Sequence, residues 1–347
     1  MNNKERGKKI REQILRDVRH HPTDLAKHIA SIFSITPQAV NNHIKRLETE
    51  GKLISKGRGK GKRYFLGDLR QYKSIFPLAD GFAEDIVWRD YYAFIFEGLP
   101  NNIVDICHYG FTEMVNNAID HSESHSVLIA VERSVEQVVI AIIDFGEGIF
   151  KKIQRLCNLM DEKQALLELS KGKLTTDPEN HTGEGIFFTS RMFEIFAIDS
   201  KGTHFSHSKQ SEFDYLQESS ISKNTDDIGT MVLMIIKRDS QCNLQTVFDD
   251  FAEPDEYQFS KTIIPVRLAQ YDNEKLVSRS QAKRLLASVE KFRKVVFDFK
   301  DVNSIGQAFA DEIFRVYANK HPEIELLTTN MTVDVEKMVK RATTKKD

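Results

Sequence analysis

The run Val138–Ile143 is apolar at every position and breaks off at Asp144-Phe145-Gly146-Glu147-Gly148-Ile149. It is far too short for a membrane span, which needs about 20 residues. It reads as a β-rich, apolar strand with a carboxylate at its end. The two glycines that follow let other groups approach the backbone closely. Val127–Val131 reads as a neighbouring strand, and Gly229-Thr230 opens a further apolar strand over Met231–Ile236. Such strands need helices to cover them. Phe111–His121 reads as one, with Glu113 and Asn117 one turn apart on a shared face. A carboxylate and an amide oxygen so placed suit a water and a magnesium ion. His181-Thr182-Gly183-Glu184-Gly185-Ile186 opens a second amphipathic stretch, Phe187–Phe196. Glycines at a helix start present N–H groups that suit phosphate, although Glu184 brings a negative charge to the same place.

Taken in this order, the four motifs resemble those of the GHKL ATPase family (gyrase, histidine kinases, MutL-type proteins) over about residues 101–237. The resemblance implies a Bergerat-type α/β sandwich that binds ATP with Mg2+. It implies Glu113 as general base and Asn117 as magnesium ligand. Asp144 would take the adenine amino group, Gly146 and Gly148 would shape the adenine pocket, and Thr230 would support that side. Gly183 and Gly185 would contact phosphates. Lys151–Asn180 falls where the family has a mobile lid, and Lys171 and Lys173 lie there within expected reach of phosphates. Glu113-x-x-x-Asn117-Ala118-x-x-His121 with the short Thr182–Ile186 box looks most like the anti-sigma factor serine kinases. Sensor histidine kinases carry an upstream pair of phosphoacceptor helices. Residues 68–100 offer one clear amphipathic helix, around Glu84–Phe96, and no such pair.

The charge is unevenly spread. Residues 1–73 hold 18 Lys+Arg against 7 Asp+Glu, a net of +11, while the whole chain carries −2. A basic head on an acidic body points to an anionic partner at the head. The pattern of residues 1–67 is three helices and a hairpin. Ile10, Ile14 and Val18 mark the first helix, and Thr23–Phe33 is the second. Thr36 caps the third, with Pro37 at its first position and Val40, Ile44 and Leu47 inward. This block resembles a winged helix-turn-helix. The resemblance implies duplex DNA, with Gln38, Asn41, Asn42, Lys45 and Arg46 of the third helix at the major groove, where Asn, Gln and Arg can read base edges. Lys56, Arg58, Lys60 and Lys62 of the wing would lie against phosphates.

After an acidic stretch read as a linker, Asp249–Asp255, residues 255–342 again alternate strands and helices. A strand over Val295–Phe299, an acidic loop, Asn303-Ser304-Ile305-Gly306 and a helix resemble the STAS domains of anti-anti-sigma factors. Ser304 stands where those domains accept a phosphate; its other reading is a helix cap. Cys107, Cys157 and Cys242 form no CxxC pair, which excludes a disulfide scaffold and a cysteine zinc site. With a charged N-terminus, this favours a cytoplasmic protein away from membranes.

The expectation is a multidomain α/β (α+β) regulator. It has a DNA-binding head at 1–67, a helical connector at 68–100, an ATP-binding centre at 101–237 and a STAS-like tail at 255–342. Nucleotide state would control the head as a transcriptional regulator, in a possible homodimer with a protein partner at the tail. Three alternatives stay open. One is a serine kinase acting on Ser304 or on a separate STAS partner. Another is an ATPase timer, and the last a scaffold with an empty pocket.

Overall fold

The computed structural model describes residues 3–79, 81–174, 182–209, 215–218, 228–252, 259–270 and 274–344. It is a mixed α/β structure with three separate sheets among those residues. No described helix is long and apolar enough to cross a membrane.

Helices α1 (Asn3–Asp17), α2 (Leu25–Phe33) and α3 (Pro37–Thr49) precede a hairpin of β1 (Leu53–Lys56) and β2 (Arg63–Leu66). The Thr36 hydroxyl accepts from the Ala39 amide at 3.2 Å, so α3 starts where the sequence expects. Ile10, Ile14, Val18, Leu25, Ile29, Val40, Ile44 and Leu47 form a small core of their own.

Gly67–Leu69 then leads into β3 (Arg70–Pro77). Here the structure departs from the reading of residues 68–100 as a helical connector. β3 pairs antiparallel with β4 (Ser126–Arg133) along its whole length, from Arg70 opposite Arg133 to Pro77 opposite Ser126. Its inner face offers Arg70, Tyr72, Ser74 and Phe76, and Ile75 points out, so the alternation is faint in sequence. The expected helix follows as α4 (Glu84–Val87), one π turn (Trp88–Tyr92) and α5 (Ala93–Phe96).

The central sheet has the order β3-β4-β5-β9-β6-β7-β8, antiparallel throughout. Its other strands are β5 (Gln137–Asp144), β6 (Ile195–Ser200), β7 (Thr203–Ser208), β8 (Tyr215–Glu218) and β9 (Thr230–Lys237). The long helix α6 (Asn101–His121) packs against β5 and β9 beside α9 (Gly185–Met192), burying Ile106, Phe111, Met114 and Phe187. Between β5 and α9 lie α7 (Ile149–Leu156) and α8 (Glu162–Lys171).

α10 (Leu244–Phe251) occupies the first part of the stretch read as a linker, and Phe251 is buried. Residues 253–258 lie outside the described residues. The last block is a parallel sheet of β10 (Lys261–Pro265), β11 (Lys294–Asp298) and β12 (Glu325–Thr329) in that order. Its helices are α11 (Arg279–Leu286), α12 (Gln307–Asp311), α13 (Ala318–Lys320) and α14 (Val333–Thr343). This block does not stand apart. The Phe259 ring lies 4.5 Å from that of Phe187, tilted, and meets that of Phe292 edge-on at 5.3 Å, so one apolar core runs through both blocks.

Candidate functional site

A cavity of about 150 Å³ opens between α6, the end of β5, α7 and the start of α9. Glu113 and Asn117 of α6 line it, with Asp144, Gly148, Gly183, Gly185 and Thr230. Seven of the eight pocket residues expected from sequence therefore share one wall system. The eighth, Gly146, sits behind it and donates its amide to Asp144 Oδ1 at 2.9 Å.

The carboxylate of Asp144 is fixed by the backbone. Its Oδ1 also accepts from the Thr230 amide at 3.1 Å, and its main-chain oxygen accepts from the Gly229 amide at 3.0 Å. Burial pushes the Asp144 carboxyl above its ordinary range, opposed by the Gly146 and Thr230 hydrogen bonds. The Thr230 hydroxyl accepts from Ile149 N at 3.1 Å, tying the strand to α7. The glycines are sterically required. A Cβ on Gly146 would lie 1.8 Å from the Ser122 carbonyl oxygen, and one on Gly183 would lie 2.4 Å from that of Leu174. A Cβ on Gly185 would lie 2.0 Å from Glu113 Oε2, so the base candidate rests against the start of α9.

Three residues absent from the sequence reading complete the site. Buried Ser200 donates to the Gly229 carbonyl at 2.9 Å and packs against Gly148. Ser124 Oγ accepts from Phe145 N at 3.2 Å. Lys152 lines the cavity from α7. Isolated serines and a lysine carry no spacing signal, and only the fold brings them here.

Glu184 occupies the N-cap position of α9 without a side-chain cap bond and lines the cavity, its carboxyl raised by burial despite Lys173. The expected lid cations point elsewhere. Lys171 is 1% exposed, pairs with Glu168 at 2.6 Å and donates to the Ala287 carbonyl at 2.7 Å. Lys173 donates to the Lys291 carbonyl at 3.1 Å, and Lys291 donates back to the Lys173 carbonyl at 3.1 Å. Both lysines bolt α8 and its exit to the C-terminal block, because the apolar contact there leaves carbonyls that need donors. Residues 175–181, the rest of the expected lid and His181, lie outside the described residues.

The donor set fits a hard cation. Glu113 and Asn117 supply oxygens, and magnesium typically takes one or two carboxylates with waters and phosphates. Met114, Ile142, Ile186 and Val232 give the cavity apolar walls suited to a flat ring, with the Asp144 carboxylate as acceptor. Among the described residues, no group of three His, Cys, Asp or Glu side chains could hold a metal alone.

On the head, Gln38, Asn41, Asn42, Lys45 and Lys62 line one shallow groove between α3 and β2. Lys62 stands 4.7 Å from the Tyr64 ring centre and 3.4 Å from Glu48. Lys56 and Arg58 are exposed on the hairpin, while Arg46 is held by Glu50 at 2.8 Å. The Lys60 side chain lies outside the described residues.

Ser304 is exposed near the end of the parallel sheet. The cap reading fails: α12 begins at Gln307, its N-cap is Gly306, and no side chain caps it.

Fold and sites together define a modular α/β protein with a carboxylate-and-glycine pocket and a basic head with its own small core. The family model of a STAS-like domain of unknown function (DUF4325) matches residues 281–336, from α11 into α14. No curated protein and no solved structure matches the chain.

Proposed function

We propose that this chain is an ATP-binding, DNA-binding transcriptional regulator in which nucleotide state of a GHKL-like centre controls a winged-helix head and a STAS-like tail. The observation that carries the reading is the convergence of Glu113, Asn117, Asp144, Gly148, Gly183, Gly185 and Thr230 on one cavity. The seven come from four stretches far apart in sequence. Asp144 would hold the adenine amino group, Asn117 the magnesium ion, and the Gly183–Gly185 turn the phosphates. Bound ATP would bring a transferable phosphoryl group and a polyanion; Glu113, Asp144 and Glu184 together require a cation beside it.

The route from pocket to tail is short. Leu169 and Leu174 line the cavity, and Lys171 and Lys173 between them grip the C-terminal block. The route to the head runs through paired side chains. Arg19 pairs with Glu97 at 2.6 Å, and Arg133 donates to the Glu97 carbonyl at 2.7 Å. Asp68 takes both Arg133 at 3.1 Å and Arg238 at 3.2 Å.

DNA affinity, measured by fluorescence anisotropy on a random-sequence duplex pool, is expected to change when ATP and Mg2+ are added. Equal affinity in both conditions sinks the switch, because a ligand shifts only states it distinguishes. Replacing Lys45 and Lys62 by Ala should flatten the plot of log affinity against log salt by about 0.9 per lost phosphate contact. An unchanged slope would remove the groove from the DNA face.

A second reading, serine kinase activity, is favoured by the exposed, non-capping Ser304. Acting on Ser304, it requires phosphoryl mass on the intact protein after incubation with ATP and Mg2+, lost in both Glu113→Ala and Ser304→Ala. Phosphate release without labelling supports the timer instead.

A further inference from the structure

Lys152 has no part in the reading above, yet it stands at the cavity. Its Nζ donates to the His121 carbonyl at 2.7 Å and to Glu123 Oε1 at 2.7 Å. An ammonium has three donors, and these bonds use two. Its side chain is 12% exposed while that of Glu123 is 68% exposed. The carbonyl belongs to the last residue of α6, where a cation is favoured by the helix dipole. Among the described lining residues, Lys152 is the one lysine or arginine, against the carboxylates of Glu113, Asp144 and Glu184. Lys152 therefore lines the cavity with one anchoring bond to backbone and one replaceable bond to a solvated carboxylate. Water can take over the solvated Glu123 carboxylate, so the bond to it is exchanged at little cost.

We propose that Lys152 is the specificity-determining contact that makes the pocket prefer a phosphorylated nucleoside over the bare nucleoside, with Glu123 as the competitor it releases. This rests on the reading of the cavity as a nucleotide site. The His121 carbonyl keeps the ammonium in place, and a ligand phosphate takes over the position of the Glu123 carboxylate.

The test is calorimetric titration of the full chain with Mg-ATP and, separately, with adenosine. In Lys152→Met, Mg-ATP affinity is expected to fall by roughly 10- to 150-fold, the loss of one hydrogen bond to a charged group. Adenosine affinity should stay the same, and Lys152→Arg should restore most of the preference. Glu123→Gln leaves Lys152 in place, so it tests the idea even if the methionine variant folds poorly; it should raise Mg-ATP affinity and leave adenosine unaffected. Equal losses for both ligands in Lys152→Met would make the residue a structural tie between α6 and α7 and overturn the proposal. So would an unchanged ATP-to-adenosine ratio, or a Glu123→Gln variant that binds both ligands as the wild type does. If the wild type binds neither ligand, the nucleotide reading falls and this assignment falls with it.

Discussion

Lys171→Met is expected to destabilise the protein by about 3–5 kcal/mol, the usual cost of removing one partner from a buried ion pair. Glu168 and Lys171 are 4% and 1% exposed, so solvent cannot compensate either charge. The substitution leaves a buried carboxylate without its cation and the Ala287 carbonyl without its donor. Buried pairs of this kind often add no net stability, because desolvation offsets their attraction. Burial holds the Lys171 ammonium below its ordinary range, outweighing the attraction of Glu168. The double variant Glu168→Leu with Lys171→Met should therefore recover most of the loss, since an apolar pair of similar volume suits the site. Urea denaturation of the three proteins checks both statements. A Lys171→Met midpoint equal to wild type, or a double variant as weak as the single, would show that the pair does not bolt α8 to the C-terminal block. The Lys171 main-chain oxygen also accepts from Thr262 Oγ1 at 2.7 Å, a second tie between α8 and β10.

That joint also marks the limit of sequence reading. Position and charge suggest that Lys171 faces a ligand; packing turns it the other way, because the helix beneath it is apolar toward the C-terminal block. Local signals read well. Thr36 and Pro37 start α3, and Val138–Ile143 forms a central strand ending at Asp144, each decided by neighbours in the chain. Spacing on one helix likewise placed Glu113 and Asn117 together. What escaped depends on distant partners. β3 is recognisable only beside β4, and Ser200 matters only because β6 lies next to β9 and brings its hydroxyl to Gly229. The Ser304 cap reading failed for a related reason. The chain bridges Ile305 to Leu276 before turning into α12, which moves the helix start past the serine.

Glycine substitutions separate the framework of the pocket from its chemistry. In Gly146→Ala the new Cβ would meet the Ser122 carbonyl oxygen at 1.8 Å. In Gly229→Ala it would lie 2.2 Å from Asp144 Oδ1 and 2.3 Å from the Gly146 amide nitrogen. Neither obstacle can yield without moving backbone, so both changes should displace the Asp144 carboxylate. The expected result is a fall in Mg-ATP affinity of roughly 10- to 150-fold, the loss of one hydrogen bond to a charged group. Gly185→Ala differs in kind. Its Cβ meets Glu113 Oε2 at 2.0 Å, the tip of a side chain that can rotate away. Binding should survive there, while any hydrolysis or phosphoryl transfer that uses Glu113 should drop on the order of 10²-fold, the usual penalty for a group misplaced by about 1 Å. Gly98→Ala is the control: its φ of 76° costs conformational energy, but nothing lies within 4 Å of the added carbon. Titration with Mg-ATP and a phosphate-release assay on the four variants decide the matter. If Gly146→Ala binds as tightly as Gly98→Ala, Asp144 is not the group that holds the ligand, and the pocket's recognition must lie with the α6 side chains instead.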